Sequence, residues 1–300
     1  MTTSVDVCIG MYGMEGICGG DIGAAIQAVR LAEDCGIDQV SITDHVVMGP
    51  NTDKYPYGEF PSPPATPWYE PHTVLSAIAG ITQHIRLSAG VMISPLRSAV
   101  LFAKQMATLD VISGGRVQIG VGCGWQREEF EASGVDYDNR YQILEDQIRA
   151  CRALWTEESV SLSLETVTLE NIYCHPHPQQ ARLPVWFGLK PLPKNARRMA
   201  ELGDGWIPIV QDPAEIARGV DILHRAFADA GRKPEELAVR AMPSVIFTAG
   251  GIPDLDATLA SAPAYIDAGA TCLEFLPLYF AQQSDQLEGV FRAIASVKPS

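Results

Sequence analysis

Several short runs in this chain combine residue types that handle protons and anions. Asp44-His45 closes the run Gln39 to His45, in which Val40 and Ile42 alternate with Ser41 and Thr43. A histidine next to a carboxylate can pass or donate a proton near neutral pH. In Gly120-Val121-Gly122-Cys123-Gly124-Trp125, glycine at every second position clears side chains from one side of a strand end, so a flat or anionic group can approach the backbone. A tight turn beside a packed helix explains the same glycines, and the motif alone is weak. Gly90, Ser94 and Arg97 surround a third such place, and Gly188, Leu189 and Lys190 a fourth. There Lys190 or Arg97 could add charge to the backbone amides and helix amino-termini that hold phosphate.

The elements that must bring these runs together read as alternating strands and helices. Strands are expected at Val5 to Tyr12, Gln39 to His45, Ile85 to Ile93, Arg116 to Gly122, Pro184 to Leu189, Gly205 to Val210, Ala238 to Phe247 and Thr271 to Phe280. Helices are expected at Asp21 to Cys35, Pro71 to Gln83, Ser98 to Val111, Tyr141 to Trp155, and near Pro193 to Leu202, Pro213 to Ala230, Pro253 to Ala268 and Ser284 to Ser296. Their apolar positions recur at three-four or two-residue spacing. Ser159 to Cys174 alternates with period two and reads as a β-hairpin inserted after the fourth helix. Eight strand-helix pairs with short turns predict a (β/α)8 TIM barrel, whose strand carboxyl ends share one mouth. An open doubly wound sheet is the alternative, but Gly10-Met11-Tyr12-Gly13 lacks its usual glycine spacing.

A long connection, Val46 to Glu70, holds six of the 21 prolines together with Tyr55, Tyr57, Phe60, Trp68 and Tyr69. So many aromatics favour a lid or pocket wall over disorder, with a surface loop at a subunit contact as the bland alternative. Trp125 can wall the same pocket. A net charge of -14 opposes nucleic acid and anionic membranes as partners, and no apolar run approaches the length of a membrane span. The beginning MTTSVDVCIG lacks the features of a secretory signal, so a cytoplasmic location is expected. Seven scattered cysteines without a CxxC pair read mostly as buried thiols in a reducing compartment. No composition break divides the 300 residues, so 1–300 reads as a single domain. Apart from Asp44 and His45 the strand ends supply almost no metal ligands, so no metal is expected.

Thr43-Asp44-His45, the stretch Ile85 to Tyr137, PVWFG (Pro184 to Gly188) and LGDGW (Leu202 to Trp206) together resemble the luciferase-like monooxygenase superfamily. Within it they most resemble the F-420-dependent oxidoreductase group. The resemblance implies a reduced flavin or 8-hydroxy-5-deazaflavin (coenzyme F-420) in the barrel mouth, and a bulge with a nonprolyl cis peptide at Gly90-Val91 behind its ring. It places Asp44 and His45 against the ring as the catalytic pair, with Asp44 orienting the histidine or contacting the cofactor. Gly122, Cys123, Gly124, Trp125, Gly188, Leu189 and Lys190 complete the implied cofactor contacts. The chain departs from the family in having Gly188-Leu189 where Gly-Gly is frequent, and Cys123 where some deazaflavin dehydrogenases have an acid.

The leading expectation is hydride transfer between a deazaflavin and a small organic substrate. The nearest rival keeps the fold and uses FMN, reduced by a partner flavin reductase, as a monooxygenase. A noncatalytic flavin-binding barrel plugged by its aromatic loop, and a metal hydrolase using Asp44, His45 and His72, are the rivals from other classes. A homodimer is the usual assembly of the resembled family.

Overall fold

The computed structural model describes residues 5–298; residues 1–4 of the amino-terminal segment read above lie outside them. Eight parallel strands close into a barrel: Asp6–Gly10, Gln39–Ile42, Arg86–Ala89 continued by Met92–Ile93, Val117–Gly122, Val185–Phe187, Gly205–Trp206, Ala238–Ala241 and Cys272–Phe275. Closure is visible in the register, with Val7 beside Leu273 across the first and eighth strands and Leu87 beside Val117 across the third and fourth. Apolar strand residues such as Val7, Val40, Leu87 and Val121 are fully buried. Parallel pairing demands a crossover after each strand, and helices in the crossovers cover the barrel's outside.

Local chemistry fixes where the helices begin. Asp21 accepts from the N–H groups of Gly23 and Ala24 at 2.7 and 3.2 Å and caps Ile22–Asp34. Asp212 caps Pro213–Asp229 in the same way, and Pro213 has no N–H to orphan in the first turn. Helix Ala99–Ser113 stops at Gly114, which takes φ 73°. Glu33 then ties one helix to the next connection, accepting from the backbone N–H groups of Gln83, His84 and Ile85 at 2.5–3.1 Å. Burial works against its charge, yet those donors hold its carboxyl below the usual range.

The inserted hairpin pairs Val160–Ser163 with Thr168–Ile172 in antiparallel register, after helix Arg140–Thr156. Asp146 on that helix anchors it by accepting from both N and Oγ1 of Thr166, at 2.8 and 2.9 Å.

The regular elements differ from the sequence reading in ways that concern the mouth. Strands expected to reach His45, Leu189, Val210, Phe247 and Phe280 stop at Ile42, Phe187, Trp206, Ala241 and Phe275. A tilted barrel strand pairs only where its neighbours overlap, and the remaining apolar residues line the rim. Past the eighth strand, Pro277 cannot donate to a ladder and starts a 3-10 turn, Pro277–Tyr279. The third strand is interrupted at Gly90-Val91, whose peptide bond is cis. The helix expected over Pro253 to Ala268 is two pieces, Leu255–Ala260 and Ala262–Asp267, divided at Ser261 before Pro263. The last helix runs Leu287–Ala295, with 284–286 forming a 3-10 turn. A helix, Arg127–Ala132, also follows Trp125, where no element was expected.

Candidate active site

His45 follows the second strand at the carboxyl-terminal rim and is 9% exposed. Its Nδ1 lies 3.0 Å from Oε2 of Glu129, a residue of the unexpected helix Arg127–Ala132 that is fully buried. The other oxygen, Oε1, accepts from the N–H of Val46 at 2.6 Å. Both carboxylate oxygens thus serve the Asp44-His45 segment. When Glu129 is ionised it can only accept, so Nδ1 carries the proton and Nε2 is left free to exchange one.

Asp44 has a different partner. Its two oxygens accept from Arg97 Nη1 and Nη2 at 2.7 and 3.1 Å, and Oδ2 also takes the N–H of Ile93 at 2.8 Å. Arg97 extends the pairing to Glu70 at 3.0 Å. Burial works against the Arg97 charge, but these carboxylates outweigh it and raise its pKa. Arg97 is therefore committed to the second- and third-strand ends, and its charge is already balanced where phosphate binding had been considered. Asp44 orients the third strand; the carboxylate that orients His45 is Glu129.

At that third-strand end Gly90 and Val91 are partly exposed, unlike the buried strand before them. The glycines opposite have a role that their spacing alone did not specify. A Cβ on Gly122 would meet Val91 Cγ2 at 2.7 Å, and one on Gly188 would meet Val91 Cγ1 at 2.9 Å. Gly124, at φ 68°, leaves room for Phe130 and Ile93. Gly122 and Gly188 therefore let the bulge nest against the fourth and fifth strands; the partly exposed platform is Gly90-Val91, and these two glycines support it from behind.

A buried ion pair lies beneath this platform. Arg240 Nη2 donates to the carbonyl of Ala89 at 2.9 Å, Nη1 to Ser88 Oγ at 2.7 Å, and Nε lies 3.1 Å from Glu274 Oε2. Glu274 Oε1 accepts from Ser41 Oγ at 2.7 Å. The second, third, seventh and eighth strands are thus cross-linked directly below the bulge. A signal for both residues was present in the sequence: a lone charge inside the apolar strands AVRA and CLEF.

The long connection covers His45. Phe60, Trp68 and Trp125 stand with ring centroids 5.8, 4.7 and 6.0 Å from the imidazole, and Tyr55 packs on both Phe60 and Trp125. Its near end is fastened by Gly49, which donates to Gln126 Oε1 at 2.7 Å and accepts from Gln126 Nε2 at 3.1 Å. Cys123 lies on the mouth side of the fourth strand, where burial pushes its thiol up, against the lowering effect of a hydrogen bond with Tyr141. Such a thiol is a space-filler, with little thiolate for nucleophilic attack. Leu189 is buried, and its carbonyl accepts from Trp206 Nε1 at 2.9 Å. Lys190 is exposed, its Nζ 5.0 Å from the centroid of the Tyr57 ring. His72 does not join His45: its Nε2 meets the carbonyl oxygen of Gln105 at 3.0 Å. Among the described residues no three His, Cys, Asp or Glu side chains gather as a metal site.

Comparisons with known proteins follow the same pattern. Residues 7–288 match the family described as luciferase-like monooxygenase. An uncharacterised protein of Mycobacterium tuberculosis is 34% identical over 206 residues, which cover 64% of this chain and 73% of that protein. The crystal structure of monooxygenase RslO1 from Streptomyces bottropensis superposes with a TM-score of 0.79 at 18% identity, over 97% of this chain and 98% of that one. An F420-dependent secondary alcohol dehydrogenase in complex with an F420-acetone adduct gives a TM-score of 0.76 at 14% identity, over 99% of each chain.

Proposed function

We propose that this chain, which belongs to the luciferase-like monooxygenase family, is an oxidoreductase that moves hydride between coenzyme F-420 and a small organic substrate. The observation that carries this reading is the buried His45–Glu129 pair at the same barrel mouth as the partly exposed Gly90-Val91 platform. A flat ring would fit against the partly exposed Gly90-Val91 segment, whose Val91 side chain packs on the fourth and fifth strand ends at Gly122 and Gly188. Gly122 and Gly188 would back the platform through Val91, Cys123, Gly124, Trp125 and Leu189 would border the cofactor at the ends of the fourth and fifth strands, and Lys190 would be the exposed cation for its anionic tail. When bound, the deazaflavin would supply a hydride donor or acceptor.

The chain's residues supply everything else. Glu129 holds Nδ1 of His45, so that Nε2 can give a proton to a substrate oxygen or remove one. Asp44, fixed by Arg97 and the Ile93 N–H, keeps the segment carrying His45 against the third-strand bulge. Phe60, Trp68 and Trp125 exclude water from the imidazole. The lid must open for substrate to reach it.

The second reading is an FMN-dependent monooxygenase fed by a flavin reductase. It is favoured by the similarity to a monooxygenase, which is as close in fold as the similarity to the alcohol dehydrogenase. Oxygen consumption separates the two, because a deazaflavin has carbon at position 5 and does not form the usual oxygen adduct. Given FMNH2 and, separately, reduced F-420 with a panel of ketones or oxidised F-420 with the matching alcohols, the protein should accelerate hydride transfer with F-420 and leave the oxygen uptake of FMNH2 at its protein-free rate. Enzyme-dependent oxygen uptake coupled to substrate hydroxylation would replace the first reading with the second.

A further inference from the structure

A cavity of about 470 Å³ opens at the same rim, beside the ends of the eighth, first and second strands. The Gly90-Val91 platform belongs to the third strand and does not line this cavity, and neither does His45. Trp68 lines the cavity and lies against His45: its ring is 4.7 Å from the imidazole and stacks on Tyr12 at 5.5 Å. The volume lies within the range of small-molecule sites.

The lining selects a chemistry. Ile17, Ile42 and Leu278 give it an apolar floor, and Tyr12 and Trp68 give it aromatic sides. Among the described residues no lysine, arginine or histidine lines it, and the one carboxylate in the lining is Glu15. A phosphate or carboxylate would lose its hydration there with no cation to replace it, and would meet the field of Glu15 as well. A neutral molecule loses little and buries apolar area.

From this we infer that the cavity is the substrate compartment, and that it takes an uncharged, largely apolar cyclic molecule carrying one alcohol or ketone oxygen. The inference deepens the oxidoreductase reading and rests on it for the choice of oxygen function. Trp68 then separates the bound substrate from His45 until the lid rearranges.

The test is calorimetric titration of the full chain with 2-tetralone, a neutral bicyclic ketone, and with 2-naphthoate, an anion of similar shape. Saturable binding of the ketone, with the anion at least about tenfold weaker, is the expected result. Leu278→Trp fills the cavity and should weaken ketone binding by at least about tenfold. Gly16→Leu is the milder companion, since a Cβ on this cavity-lining glycine meets nothing within 4 Å. It should weaken ketone binding in the same direction, and it carries the comparison should the tryptophan variant fail to fold. Absence of ketone binding, equal binding of the anion, or unchanged ketone affinity in folded cavity-filling variants overturns the assignment. Deazaflavin titration of the same samples separates the two claims: ketone binding without deazaflavin binding sinks the oxidoreductase reading alone, whereas the reverse pattern sinks the cavity assignment alone.

Discussion

The residue with most at stake is His45, and its buried partner determines how it can act. If His45 moves a proton in the rate-limiting step, His45→Ala should lower kcat by about 10²–10⁴-fold while deazaflavin still binds. Glu129→Gln keeps the shape and removes the charge, so a loss of about 10–100-fold is expected from one charge-assisted hydrogen bond. Steady-state kinetics with the melting temperature of each variant checks both, and full turnover in His45→Ala would remove the proton role. His45 was legible because it ends an alternating run beside Asp44. Glu129 was not, since it lies 84 residues away and nothing in its local sequence points to His45. Two neighbouring acids, Glu128 and Glu129, look equivalent in sequence, and only the turn of a short helix buries one and leaves the other partly exposed. Asp44 shows the converse, because adjacency to His45 suggested a partnership that the backbone gives to Arg97 instead.

Among the elements, the third strand is the one whose geometry the site depends on. Its break at Gly90-Val91 matched the position implied by family resemblance, whereas alternation alone ran through it as one strand. Glycines opposite it were read correctly as places without side chains, but what occupies the freed space is Val91. The ion pair below, Arg240 with Glu274, fastens the Ala89 carbonyl just before the break. Removing one member of so buried a pair leaves the other uncompensated, so Arg240→Met or Glu274→Leu should each destabilise by about 3–5 kcal/mol. The double variant should lose less than the sum of the two. Urea denaturation measures this, and single variants within about 1 kcal/mol of the parent would show that the pair is not structurally required. Helix positions were legible from periodicity, and the structure adds the caps Asp21 and Asp212. Strand ends were not, because apolar residues beyond the last pair, such as Ile207 and Leu276, look no different in sequence from paired ones.

At the scale of the whole molecule, the barrel gathers side chains from distant parts of the chain at one rim, and the eightfold strand-helix count made that closure readable in advance. Which compartment each residue would face was not readable, because that depends on the path of the irregular connection from Val46 to Glu70. In the structure the connection places Trp68 between His45 and the apolar cavity, with Gly90-Val91 on the neighbouring strand end. The account's central claim is that this rim holds a planar deazaflavin beside His45. Equilibrium titration of the purified chain with F-420 and, separately, with FMN tests it most directly, read from the visible absorbance of each compound. The account predicts a Kd for F-420 of about 1–100 μM, with FMN at least about tenfold weaker. Binding of FMN tighter than F-420, or binding of neither compound below about 1 mM, would contradict it.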